Sequence, residues 1–302
     1  MTFRFHTLDV FTRKRFDGNP LAVVLDADPL TDAQMQTIAR EFNLSETIFV
    51  MQPADPANTA KVRIFFPTGE IPFAGHPTVG CAVLLARMSQ PSATDFETNI
   101  RLEEVAGLVP VKVTHADGIT RAIFTAPIVP FAVDVPLPSV EEVARMLSLL
   151  PADIGFDGHT HRLHQGGPRC FHVPLASRSA LARSRVNDSI WPAMADGLGT
   201  DQVYVYTRGG DHSSTSFRAR MYAPTALTPE DPATGSATAL LAAQLLVAEQ
   251  IADGSHSWEL EQGYEMGRPS DLHLEADVSG GRLTAVRVAG EAVPVMAGTL
   301  SL

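Results

Sequence analysis

Arg63-Ile64-Phe65-Phe66-Pro67-Thr68 reappears, altered, as Arg220-Met221-Tyr222-Ala223-Pro224-Thr225. Both strings read Arg, apolar, aromatic, any residue, Pro, Thr. A second pair follows: Pro72-Phe73-Ala74-Gly75-His76 and Pro232-Ala233-Thr234-Gly235-Ser236, each Pro-x-x-Gly and then a hydrogen-bonding side chain. The offsets are 157 and 160 residues, a drift that a small insertion ahead of Asp231 accounts for. Internal repetition fixes an architecture before any helix or strand is assigned. The chain is two copies of one plan.

Each Pro-x-x-Gly opens an apolar run, with no charge over residues 77–86 or over residues 236–248. Good helix formers that are apolar on every side imply a helix surrounded by protein, because a surface helix keeps a polar face. Neither run reaches the ~20 residues that cross a bilayer. Short alternating or β-branched stretches predict strands at 47–51, 61–66, 108–114, 202–207, 214–222, 258–261 and 283–288, with a further closing strand over 293–302. Amphipathic covering helices are predicted over 31–42 and 139–150, opening on the capping boxes Thr31 with Gln34 and Ser139 with Glu142. Their apolar faces would be Met35, Ile38, Ala39 and Phe42 in the first, and Val140, Val143, Ala144 and Leu147 in the second. The Pro-rich stretch 127–138 reads as the crossing between two lobes, placing the boundary near residue 126.

Composition narrows the function. Lys and Arg number 23 against 34 Asp and Glu, a net charge of -11, which argues against a nucleic-acid partner. Two cysteines, Cys81 and Cys170, are too few for a disulfide framework or a cysteine-built metal site. The opening Met-Thr-Phe-Arg-Phe-His lacks the apolar run of a secretory signal, so a cytoplasmic location is expected, without a membrane. No Gly-x-Gly-x-x-Gly or Walker sequence occurs, which removes the usual support for nicotinamide, flavin or nucleotide cofactors.

A helix start presents unpaired N–H groups and about half a positive charge, and is a ready place for an anion. Gly75 and Gly235 open two such starts in two related lobes, so both are expected to face one cleft and favour a carboxylate. Glu46, ahead of an apolar strand, is placed to take and return a proton, although most glutamates so placed are simply solvated. His76 could orient a substrate oxygen or cap its helix; Asp231 could hold a substrate group or serve a turn. His159, His161 and His164 suggest a metal, yet no carboxylate or Cys completes a ligand set, and a solvated loop or strand is the expected outcome. Ser236 is not a hydrolase nucleophile, since the flanking glycines of that elbow are missing.

Taken together, the strings Asp9-Val10-Phe11, Gly18-Asn19-Pro20-Leu21-Ala22-Val23-Val24, Ser45-Glu46-Thr47, Glu70 to Thr78, Glu230 to Ala237, Gln262-Gly263 and Gly267-Arg268-Pro269-Ser270 resemble the PhzF-like isomerases of phenazine biosynthesis, which have the diaminopimelate epimerase-like fold. The resemblance runs along nearly the whole chain. It implies an α+β fold of two pseudo-symmetric lobes, 1–126 plus 290–302 and 127–289, each a mostly antiparallel barrel-like sheet around a buried helix, with the active site in the cleft between them. It also implies a homodimer and a cofactor-free isomerase, in which Glu46 moves a proton between two carbons of a small cyclic carboxylate such as trans-2,3-dihydro-3-hydroxyanthranilate. His76, Asp231 and Ser236 match the family's substrate contacts, with backbone donors at Gly75 and Gly235 and with Asn19 as a further substrate-binding position. Related epimerases and proline racemases carry a pair of thiols at the two helix starts; here both places are glycine. A single carboxylate then implies return of the proton on the face it left. A lyase or cyclising enzyme using the same Glu46, and a non-catalytic binder of small carboxylates, are the alternatives.

Overall fold

The computed structural model describes residues 1–224 and 229–302, so Thr225 of the second repeat string lies outside the described residues. The chain divides into two compact units, Met1–Pro127 with Val288–Leu302, and Ile128–Arg287. The first contains β1 (Thr2–Val10), β2 (Asn19–Val24), α1 (Asp32–Phe42), β3 (Glu46–Met51), β4 (Ala60–Phe66), β5 (Gly69–Ile71), α2 (Gly75–Ser89), β6 (Phe96–Glu104), β7 (Gly107–Ala116) and β8 (Ile119–Thr125). The second contains β9 (Phe131–Ala132), α3 (Val140–Met146), β10 (Arg162–Gln165), β11 (Arg169–Pro174), α4 (Arg178–Arg183), α5 (Trp191–Leu198), β12 (Val203–Arg208), β13 (Thr215–Tyr222), β14 (Glu230–Asp231), α6 (Gly235–Ala248), β15 (Gly254–Gln262) and β16 (Ser270–Ser279). The last strand, β17 (Arg282–Ser301), begins in the second unit and supplies the first with its closing residues.

The duplication is visible in the pairing. Antiparallel β1–β2, parallel β2–β3, antiparallel β3–β4, parallel β4–β6 and antiparallel β6–β7 are matched in order by β10–β11, β11–β12, β12–β13, β13–β15 and β15–β16. A parallel pair needs a long crossover, usually a helix. Here α1 and α2 provide the crossovers of the first unit, and α4 with α5, then α6, provide those of the second.

The repeated Arg acquires a reason. Arg63 grips Glu70 through Nε and Nη2, at 2.7 and 2.6 Å, and Arg220 grips Glu230 in the same two-pronged way, at 2.7 and 2.9 Å. Each pair fastens the strand bearing the Arg to the short strand that leads into the central helix.

Both central helices are enclosed as the charge-free runs predicted. Every residue of α2 from Gly75 through Leu84 is buried, and α6 is buried over Gly235–Leu245 save for a half-buried Ser236, before emerging at Val247. Both capping boxes are present. The second covering helix is shorter than predicted: α3 ends at Met146, Leu147 caps it, and Ser148 turns left-handed at φ 58, leaving Leu150 exposed. Val140 is also exposed rather than on the covered face. The strands predicted at 283–288 and 293–302 are one strand, β17, which pairs antiparallel with β1 from Thr2↔Ser301 to Val10↔Ala292.

Candidate active site

In the first unit, α1 ends on Asn43 in a left-handed turn (φ 50), and the chain re-enters the sheet at Glu46, the first residue of β3. The parallel pairing of β2 with β3 sets Glu46 beside Leu21, two residues on from the fully buried Asn19. Glu46 is 8% exposed and His76, the second residue of α2, is 3% exposed. The His76 Nδ1 lies 2.9 Å from Glu46 Oε2. Nδ1 and the carboxylate oxygen are close without the geometry of a hydrogen bond, so either ring nitrogen can carry the proton of the neutral imidazole. Glu46 Oε2 and His76 Nε2 are both buried, and neither has a hydrogen-bond partner among the described residues.

Gly75 opens α2 behind Ala74, which has no side chain to cap the first turn. The helix start thus keeps the unpaired N–H groups characteristic of an uncapped N-terminus.

In the second unit the equivalent helix start is prepared differently. Thr234 stands at the N-cap of α6, where its hydroxyl could bond the first turn, but it donates to Asp231 Oδ2 instead. Gln262 holds this turn, accepting from Thr234 N at 3.2 Å and donating to Asp231 O at 2.8 Å. Next to it, Gly263 adopts φ 76, and a Cβ there would lie 2.6 Å from Pro232 O and 2.4 Å from Arg268 O. The Gln262-Gly263 string thus fits tightly against the turn that sets Gly235 and Ser236. The structure brings Glu46 and His76 together, and gathers Asp231, Gly235 and Ser236 within one turn of chain.

The histidine segment is not the solvated loop or strand expected. His159 and His164 are 2% and 0% exposed. His159 Nδ1 bonds Tyr206 Oη at 2.8 Å and stacks on Phe156, whereas His161 Nε2 donates to Pro138 O at 2.9 Å. His164 Nδ1 lies 3.2 Å from Nδ1 of the buried His172, whose Nε2 donates to Ala237 O in the first turn of α6. Burial pushes His164 down to about 2 and His172 down to about 4. Among the described residues no group of three His, Cys, Asp or Glu could hold a metal ion. Cys81 and Cys170 are free and fully buried, and burial pushes both thiols up, away from the reactive thiolate. Sequence reasoning passed over Thr78 and Glu104, which meet behind the start of α2. The signal was there: Ile100, Leu102 and Glu104 alternate on the inward face of β6.

Residues 8–298 match the family described as Phenazine biosynthesis-like protein, PhzC-PhzF. The chain belongs to this family. It is similar to an uncharacterized isomerase of Mesorhizobium japonicum, at 40% identity over 97% of this chain and 96% of that one. The trans-2,3-dihydro-3-hydroxyanthranilate isomerase of Pseudomonas aeruginosa is 35% identical over 95% of each chain. Among solved structures, the PhzF-family phenazine biosynthesis protein of Bacillus anthracis superposes with a TM-score of 0.88, covering 100% of both chains at 24% identity, a likeness of fold. The protein is thus a PhzF-like isomerase with an α+β fold built from an internal duplication. No helix among its described residues is long and apolar enough to cross a membrane.

Proposed function

We propose that this PhzF-like isomerase moves a proton between two carbons of a small cyclic carboxylate, with Glu46 as its only acid and base. The observation that carries the reading is the buried pair of Glu46 Oε2 and His76 Nδ1, 2.9 Å apart at the start of α2. A carboxylate among apolar neighbours takes the proton from one carbon, the electron pair spreads through the substrate's conjugated system, and the acid so formed returns the proton to another carbon. Substrate and product have equal mass, and the proton shift requires no electron acceptor. His76 sits against Glu46, with Nδ1 2.9 Å from Oε2, and offers Nε2 to the substrate. Asn19 borders the Glu46 strand, Asp231 and Ser236 bind the substrate's polar groups, and the N–H groups that follow Gly75 and Gly235 receive its carboxylate.

The name of the Pseudomonas relative supplies the first compound to try, trans-2,3-dihydro-3-hydroxyanthranilate. In deuterated water the wild-type protein should return an isomer of unchanged skeleton carrying solvent deuterium at one carbon. Glu46→Gln keeps the size of the side chain and removes its titrating group. It should slow both isomerisation and wash-in by about 10²- to 10⁴-fold, the usual range for general acid–base catalysis. Unchanged wash-in would remove Glu46 from the mechanism.

A further inference from the structure

Thr78, in the second turn of α2, is fully buried, and its hydroxyl oxygen has two close neighbours, Ala74 O at 2.7 Å and Glu104 Oε1 at 2.7 Å. A hydroxyl owns one hydrogen. A backbone carbonyl can only accept, so if the hydrogen points to Ala74, the Glu104 oxygen must itself donate. If it points to Glu104 as a carboxylate, two bare acceptors face each other at 2.7 Å. Both contacts are satisfied only when Glu104 carries its own proton. The chain of donation then runs from Glu104 to Thr78 to Ala74, the residue immediately before Gly75 and His76.

The surroundings agree with a neutral acid. Glu104 shares the inward face of β6 with Ile100 and Leu102. From α2 the titratable group facing it is the Cys81 thiol, which is itself buried. On β4, Lys61 is exposed and acts on Glu103, and Arg63 is taken by Asp32 and Glu70. On β7, Lys112 pairs with Glu97, and His115 stacks on Phe96. Among the described residues no cation forms an ion pair or hydrogen bond with Glu104, and burial pushes it up to about 8 despite the Thr78 hydrogen bond. The turn after β6 is tied to the same place, since Ala106 N donates to Pro72 O.

The second unit repeats the device with other chemistry. Thr238 follows Gly235 by three residues, as Thr78 follows Gly75, and its buried hydroxyl meets Tyr204 Oη at 3.3 Å. Each central helix is thereby pinned from behind by a threonine and a buried proton-bearing group.

We propose that Glu104 is a positioning residue: a neutral carboxylic acid that holds, through Thr78, the turn carrying His76. The inference rests on the reading that Glu46 and His76 perform the chemistry, and its test is independent of turnover. The full-length protein is labelled with ¹³C and ¹⁵N at histidine, the His76 ring signals are assigned by their loss in His76→Asn, and they are followed from pH 6 to 9.5. In the wild type they should shift with an inflection near pH 8, as Glu104 ionises and the turn relaxes. The inflection should vanish in Glu104→Gln, whose amide still donates to Thr78, and in Thr78→Val, which keeps the shape and breaks the link. Infrared spectra of the wild type alone should show the carbonyl stretch of one protonated carboxyl at pH 6.5, lost by pH 9, so the test stands even if a variant does not fold. A carboxylate already ionised at pH 6.5, no inflection in the wild type, or one that survives in Glu104→Gln would overturn the proposal. Unchanged wash-in in Glu46→Gln would instead overturn the mechanism, leaving these signals in place.

Discussion

Arg220 and Arg63 hold the same place in the duplication, yet their surroundings differ. The Arg220 side chain is 3% exposed and that of Glu230 19%, against 17% and 30% for Arg63 and Glu70. Arg220 also donates to the carbonyls of Leu181 and Ser184, at 3.0 and 3.1 Å. Removing it strands a largely buried carboxylate and two buried acceptors, a loss of about 3–5 kcal/mol by the usual behaviour of broken buried pairs. Arg63→Met removes a wetter pair and should cost about 1 kcal/mol. Urea unfolding checks the contrast: Arg220→Met should lower the midpoint far more than Arg63→Met, each with the slope of the wild type. Equal losses would mean that burial is not what separates the two copies. The sequence disclosed both arginines as markers of the repeat but not their unequal weight, because burial depends on α4, a six-residue helix too short to leave a periodic signal.

At the scale of elements, the two central helices were the most legible parts of the chain, since a charge-free run of helix formers has nowhere to go but inside. Less legible was β1, whose alternation is interrupted by a register shift between Thr7 and Leu8, so a period of two does not hold along it. In β16 the alternation is regular, with Ser270, Leu272, Leu274, Ala276 and Val278 inward, a period of two that the sequence carries in full. Of the site, Glu46 and His76 were legible as residues, but their contact joins a strand to a helix start that lies 30 positions along the chain, which no local pattern reports. Gly80 shows how closely α2 is fitted to that strand layer. A Cβ there would come within 2.5 Å of Leu21 Cδ2 and 2.7 Å of Val10 Cγ2. Gly80→Ala gains about 1 kcal/mol of helix propensity but overpacks the core at about 1–3 kcal/mol, so net destabilisation is expected. Leu21 is the register partner of Glu46, so the displaced side chain should also slow deuterium wash-in. A variant more stable than the wild type by thermal unfolding would show that Leu21 gives way without cost.

For the whole molecule, the groups behind the two helix starts set opposing pH dependences. His172 bonds the first turn of α6 and His164 bonds His172, while Glu104 bonds Thr78 in α2. The histidines fall to about 2 and about 4 from 6.5, so between those values and 6.5 the unfolded chain binds more protons. Their contribution to stability is complete above pH 6.5 and is lost as the pH falls toward the folded values. Glu104 behaves oppositely, rising from 4.5 to about 8, so its contribution is complete below pH 4.5 and is lost as the pH rises through 8. Between pH 7 and 5 each of these two histidines should remove about 2 kcal/mol and Glu104 should restore about 2 kcal/mol. Of these three groups alone, the net loss over that interval is about one histidine's share, and His6, His159 and His161, also lowered by burial, add to it. In Glu104→Gln the opposing contribution is gone, and the loss from pH 7 to 5 should be about 2 kcal/mol larger. Urea-unfolding free energies at half-unit pH steps measure both curves, and curves that ran parallel between pH 5 and 7 would show that Glu104 is not protonated behind its helix.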